Sequence, residues 1–156
     1  MSKKVMRRRA CENEYLHKDF HGALSCGLSY LQDRYGADAV RDYLRSFART
    51  FYSPLRRDIQ SRGLIALKQH IEGINRIENA QAEIEFSEDQ LTVRMAACPA
   101  VQHMRKNNYP VSPLWPETYR TVNEALCEGS DFEAELSEYD EQTGRNVQRF
   151  KRKAKH

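Results

Sequence analysis

Cys98-Pro99-Ala100-Val101-Gln102-His103 is the stretch whose residue types and spacing could do chemistry. Pro99 lacks a backbone donor and has φ near the helical value, which suits the first position of a helix. Cys98 then falls at the N-cap, just after a strand-like alternation of Leu91, Val93 and Met95. The free N–H groups and the positive end of the macrodipole favour negative charge there. A cysteine so placed can have its thiolate stabilised, and the thiolate is the reactive form, as nucleophile or as metal ligand. His103 lies five residues further on and could approach the same pocket. The alternative is that Cys98 is a small buried residue filling space.

His17 and His21 are four apart on an expected helix, beside its apolar stripe. Two histidines at that spacing can share a metal, or one can be buried and the other stand at the rim. Tyr109-Pro110-Val111-Ser112-Pro113-Leu114-Trp115-Pro116 carries three prolines and the only tryptophan. Such a stiffened loop could wall an apolar pocket with Tyr109, Leu114 and Trp115, or Trp115 could pack on the core. Tyr109, Trp115 and Glu117, the last in the first turn of the following helix, are the expected substrate contacts.

The elements that must position these residues follow from periodicity. Helices are expected over 13–35, 37–52 and 54–78. Their stripes are Leu16/Phe20/Leu24/Leu28/Leu31, Val40/Tyr43/Leu44/Phe47/Phe51 and Leu64/Leu67/Ile71/Ile74/Ile77. Gly63 could bend the third helix, and His70 is expected on its solvent side. The period then drops to 2. Ala82, Ile84 and Phe86, then Leu91, Val93 and Met95, predict a hairpin pairing Phe86 with Leu91 and Ile84 with Val93, with Arg94 near Glu83 and Glu85. Two short helices follow, from Pro99 and from Pro116. Phe132/Ala134/Leu136 and 146–152 then give a third and a fourth strand. The fold class is α+β, with N-terminal helices packed on one face of a small antiparallel sheet of about four strands.

The 156 residues suit one domain. The expected division is a disordered basic arm at 1–11, a single α+β domain at 12–152 and a basic tail at 153–156. Ten of the 25 basic residues lie in the first and last eleven positions, which hold no acidic residue, leaving 15 basic against 22 acidic between them. An acidic body with two basic ends is not a nucleic-acid groove, so no specific nucleic acid is expected as partner. No apolar run approaches the roughly 20 residues of a membrane span, and no apolar segment follows the basic start, so no membrane partner is expected. The four cysteines are scattered without a Cys-x-x-Cys pair, which suits reduced thiols in a cytoplasmic protein. A homo-oligomer remains open.

Several segments together resemble the L-2-amino-thiazoline-4-carboxylic acid hydrolase family of small bacterial proteins. They are Asp19-Phe20-His21-Gly22-Ala23-Leu24 with Tyr35-Gly36, then Tyr43-Leu44, then Phe51-Tyr52-Ser53-Pro54-Leu55. Cys98 through His103 follows with Val111-Ser112-Pro113, and last come Tyr139-Asp140, Thr143-Gly144-Arg145 and Gln148-Arg149-Phe150. The resemblance implies a hydrolase that opens a 2-amino-thiazoline-carboxylate-like ring with water, acting on carbon–nitrogen bonds of a cyclic amidine-like small-molecule substrate. On the matched segments Cys98, His103 and His21 are the expected catalytic residues: the histidines as acid and base, Cys98 as nucleophile. The same three could instead surround a divalent metal such as zinc with an open fourth position. The competing function is a non-catalytic small-molecule-binding domain with a pocket lined by Cys, His and aromatic side chains.

Overall fold

The computed structural model describes residues 18–154. Six helices and four strands follow in the order α1 (Asp19–Tyr35), α2 (Ala37–Phe51), α3 (Ser53–Arg62), α4 (Leu64–Glu78), β1 (Ala82–Phe86), β2 (Gln90–Met95), α5 (Pro99–Lys106), α6 (Glu117–Cys127), β3 (Phe132–Tyr139) and β4 (Asn146–Arg152). The fold is α+β. The expected arm at 1–11 and His17 lie outside the described residues. Among the described residues no helix is long and apolar enough to cross a membrane.

The four strands form one antiparallel sheet in the order β1-β2-β4-β3. The expected hairpin register holds: Phe86 pairs with Leu91, Ile84 with Val93 and Glu83 with Arg94. β4 then slots between β2 and β3, pairing Phe150 with Leu91 and Ala134, and Gln148 with Val93 and Leu136. Alternation along these strands sends Leu91, Val93, Phe150 and their neighbours towards the helices. The outward rows carry opposite charges side by side, as in Arg94 donating to Glu85 at 2.7 Å and Lys151 lying 3.2 Å from Glu133. Lys153, expected in a loose tail, continues the ladder: its N–H donates to the Asp131 carbonyl at 2.8 Å and its Nζ to the Ser130 carbonyl at 2.9 Å.

Periodicity suggested one helix over 54–78, but Gly63 breaks it into α3 and α4. Its φ of 75° lies in the left-handed region, where a side chain would be strained, and its N–H closes α3 on the Ile59 carbonyl. The break redirects α4 along β1 and β2. On α2, Val40, Leu44 and Ala48 form the buried stripe, whereas Tyr43, Phe47 and Phe51, read as core by their apolar type, are exposed. The core lies between the sheet and α1, α2, α4, α5 and α6. Each fully buried large side chain in it, such as Leu28, Leu67 or Phe150, contributes about 1.5–3 kcal/mol by leaving water.

Candidate functional site

Cys98 is the N-cap of α5 with extended backbone (φ −85°, ψ 119°), and Pro99 occupies the first turn. A turn from the far end of the sheet holds it there. The Cys98 N–H donates to the Thr143 carbonyl at 3.0 Å. Asp140 Oδ1 accepts the Thr143 N–H at 2.8 Å and the Thr143 hydroxyl at 2.9 Å, which ties the turn together and holds the Asp140 carboxylate below its usual range. Arg105, on α5, donates to the carbonyls of Glu141 and Gln142. Gly144, at φ 69°, presses so closely on this point that a Cβ there would overlap the Cβ of Cys98.

Cys98 is 2% exposed. Burial pushes its thiol up, and the opposing pull of the Tyr119 hydroxyl and the N–H groups of Val101 and Ala100 does not cancel that push. The expected stabilised thiolate is therefore corrected to a neutral thiol. The N-terminal helix dipole is present, but desolvation of the sulfur outweighs it.

The Tyr119 hydroxyl donates to Cys98 Sγ at 2.9 Å. Tyr119 also lines a cavity of about 170 Å³ between α4, α6 and the inner face of the sheet, together with Tyr52, His70, Glu78, Asn123 and Gln148. Burial raises the Tyr119 phenol well above its ordinary value, with Cys98 adding to the effect. Asn123 Nδ2 donates to Gln148 Oε1 at 2.7 Å, Gln148 Nε2 to Asn146 Oδ1 at 2.9 Å, and Asn146 Nδ2 to the Gly144 carbonyl at 2.8 Å. A row of amides, with Gln148 and Asn146 buried, thus runs from the cavity to the turn that clamps Cys98. His70, expected on the solvent side, instead lines this cavity. Its ring meets Tyr52 edge-on at 5.5 Å, and burial pulls its pKa below the usual histidine value.

His21 reaches the same cavity from another side, through Glu78. His21 Nε2 lies 3.6 Å from Glu78 Oε1, and the imidazole edge meets the Trp115 ring with centroids 6.3 Å apart. The Glu78 charge adds, after burial, to the upward push on Tyr52, Tyr119 and Cys98. Trp115 is 3% exposed and belongs to the core, and its Nε1 has no hydrogen-bond partner among the described residues. Ser25, on α1, straps the proline-rich loop in place by donating to the Pro110 carbonyl and accepting the Ser112 N–H, both at 2.8 Å.

His103 belongs to a separate cluster on the outside of α1. Its Nε2 lies 3.0 Å from Asp19 Oδ1, which also accepts the Tyr109 hydroxyl at 3.3 Å, and Asn107 Nδ2 lies 3.4 Å from His103 Nδ1. Glu117 is buried and fully engaged: Arg120 donates to Oε1 at 2.7 Å, Thr121 to Oε2 at 2.6 Å, and Arg41 approaches Oε1 at 3.4 Å. Burial alone would raise its pKa, but Thr121, Arg120 and Arg41 hold the carboxylate below its ordinary range. Cys98, His103 and His21 meet three different neighbours: Tyr119, Asp19 and Glu78. Among the described residues no group of three or more His, Cys, Asp or Glu side chains has the geometry to hold a metal ion.

Of the expected residues, then, Cys98 and His21 each touch a side chain that lines one cavity, while His103 and Tyr109 pair with each other's partner elsewhere. Tyr52, His70, Glu78, Tyr119, Asn123 and Gln148 are the residues that sequence reasoning missed. One signal was present: once Arg149 and Lys151 face out, Asn146 and Gln148 must face the core, and polar side chains at core positions mark a site or a network. No protein-family model matches the chain, and no curated protein matches it.

Proposed function

We propose that this chain is a hydrolase that opens a small cyclic amidine-like ring with water, in the cavity between α4, α6 and the sheet. The observation that carries the reading is the convergence of a carboxylate (Glu78), an imidazole (His70) and two phenols (Tyr52, Tyr119) on one small cavity. Perturbed titratable groups gathered in a cleft are the usual mark of acid–base chemistry. The resemblance of the Asp19–Leu24, Phe51–Leu55, Cys98–His103 and Thr143–Arg145 segments to the thiazoline-carboxylate hydrolases supports the same substrate class.

In this reading Glu78, paired with His21, takes a proton from water as its oxygen adds to the ring carbon held between nitrogen, sulfur and the amino group. The nitrogen of the opened carbon–nitrogen double bond takes that proton. The new hydroxyl then gives its own proton to the Glu78–His21 pair as it closes to a carbonyl, the bond from that carbon to the departing ring atom breaks, and the departing atom takes this second proton. An amidine-like head is cationic when protonated, and a carboxylate on the wall is its natural counter-ion. His70, kept neutral by burial, and the Asn123–Gln148 amides orient the head. Tyr119, neutral because its phenol is pushed far up, points its hydroxyl proton at Cys98 and turns its oxygen to the head as a hydrogen-bond acceptor, so Cys98 acts as a positioning residue. His103 and Glu117 hold elements together.

One observation favours a second reading, a binding domain without turnover: Cys98 is a neutral thiol behind Tyr119 and offers no activated nucleophile. Incubating the purified protein with 2-amino-2-thiazoline-4-carboxylate, while following loss of the ring by absorbance, separates the two. Ring opening supports the hydrolase, and calorimetric binding with no opening supports the binding domain.

A further inference from the structure

We infer that the cavity selects against a carboxylate on the ring, so that its preferred substrate is a cyclic amidinium cation whose other ring substituents are uncharged. The inference rests on the proposed reading of that cavity as the substrate site. Among the described residues, Glu78 is the only side chain lining the cavity that is charged at neutral pH, and no lysine or arginine lines it. His70 is neutral there, because burial holds its pKa below the ordinary value, and Tyr52 and Tyr119 keep their protons. The cations of the two flanking helices are turned elsewhere. Lys68 of α4 donates to Glu72 at 2.6 Å, Arg76 of α4 is exposed, and Arg120 of α6 donates to Glu117 at 2.7 Å.

A ring carboxylate calls for a positive group opposite it, best met by an arginine fork or a lysine. This wall supplies the opposite sign. Burial pushes the Tyr52 and Tyr119 phenols up first, and the Glu78 charge adds to each, so that charge is felt on both sides of the cavity. The wall amides are already engaged with one another: Asn123 Nδ2 donates to Gln148, and Gln148 Nε2 to Asn146. In a cavity of about 170 Å³ a carboxylate on the ring lies close to Glu78. At the dielectric of a protein site, two like charges about 6 Å apart shift an equilibrium by more than tenfold. The carboxylate also gives up its water with no cation in exchange. The amidinium head meets the reverse conditions, with Glu78 as counter-ion and amide and phenol oxygens as acceptors.

The test is calorimetry on the full chain with three probes that share the ring: 2-amino-2-thiazoline, its 4-carboxamide and its 4-carboxylate. The carboxamide matches the carboxylate in size and differs in charge. The bare ring and the carboxamide should each bind at least about tenfold more tightly than the carboxylate. In Glu78→Gln all three should bind more weakly, and the gap between carboxamide and carboxylate should shrink to about threefold or less. Asn75→Lys, which sets a cation on the same wall, should close the gap as well and guards against a Glu78 variant that fails to fold. A carboxylate that binds the unaltered protein as tightly as the carboxamide, or a gap that survives both substitutions, overturns the inference and leaves the cavity reading in place. If none of the three probes binds the unaltered protein, the cavity reading fails and takes the inference with it.

Discussion

The Tyr119 hydroxyl donates to the sulfur of Cys98 across 2.9 Å, so the residue that lines the cavity and the residue that caps α5 hold each other in place. Cys98 is buried and Tyr119 partly so, and both titrate above their ordinary values because desolvation dominates. The cysteine that heads the most suggestive stretch of the sequence thus stands one side chain behind the cavity.

Thiol reactivity follows from this placement. Cys26 is exposed, whereas Cys98 and Cys127 are buried, and burial pushes the Cys127 thiol up to about 12. Among the three cysteines of the described residues, alkylation at neutral pH with peptide mapping should label Cys26 first and leave Cys98 and Cys127 slow. Labelling of Cys98 as fast as that of Cys26 would show an accessible, activated thiol and restore it as a nucleophile.

Gly144 allows the closest approach in the site. Gly144→Ala places a Cβ in a left-handed backbone and against Cys98. A loss of about 2–4 kcal/mol is expected, from strain and overpacking together. Urea unfolding measures it, and an unchanged midpoint would mean that the turn is free to move away from Cys98.

Glu117 was expected to touch substrate and instead joins α6 to Arg41 of α2. Glu117→Gln should cost about 1–3 kcal/mol of stability, because buried donors lose a charged acceptor. The KM for ring opening should stay the same. A raised KM with unchanged stability would return Glu117 to the substrate.

His70 gives the stability a pH dependence of known sign. Burial lowers its folded pKa below the ordinary value of 6.5, so the unfolded chain binds a proton first as pH falls. Stability is full above about 6.5 and is lost as pH drops from there through the lower folded value. His70→Gln should flatten this part of the curve. Melting temperatures between pH 7.5 and 5 check it, and an identical slope in the variant would place the titration elsewhere.

The hairpin, the four strands and the α+β class were legible in the sequence because alternation and helical periodicity report burial directly. Phe86 opposite Leu91 needs no tertiary knowledge. Gly63 was legible as a possible bend, but that it ends α3 outright depends on its backbone angle, which no apolar stripe encodes. Tyr43, Phe47 and Phe51 were misread for a related reason: apolar type suggests the core, but Val40, Leu44 and Ala48 already fill that face. The cavity draws Tyr52, Glu78, Tyr119 and Gln148 from separate elements. Their meeting depends on docking angles that no local pattern encodes, so a search around Cys98 found its neighbours in sequence and missed those in space.

The pairing of Glu78 with His21 at the cavity wall is the centre of the proposed chemistry. Its most direct test is the rate of ring opening of 2-amino-2-thiazoline-4-carboxylate by the unaltered protein and by Glu78→Gln, with melting temperature and substrate binding measured alongside. The variant keeps the shape of the side chain and removes its charge and basicity, so it should stay folded, bind the ring more weakly, and open the bound ring at least about 10²-fold more slowly, the scale of a lost general base. A folded Glu78→Gln protein that opens the ring within threefold of the unaltered rate would contradict the assignment of the reaction to this cavity.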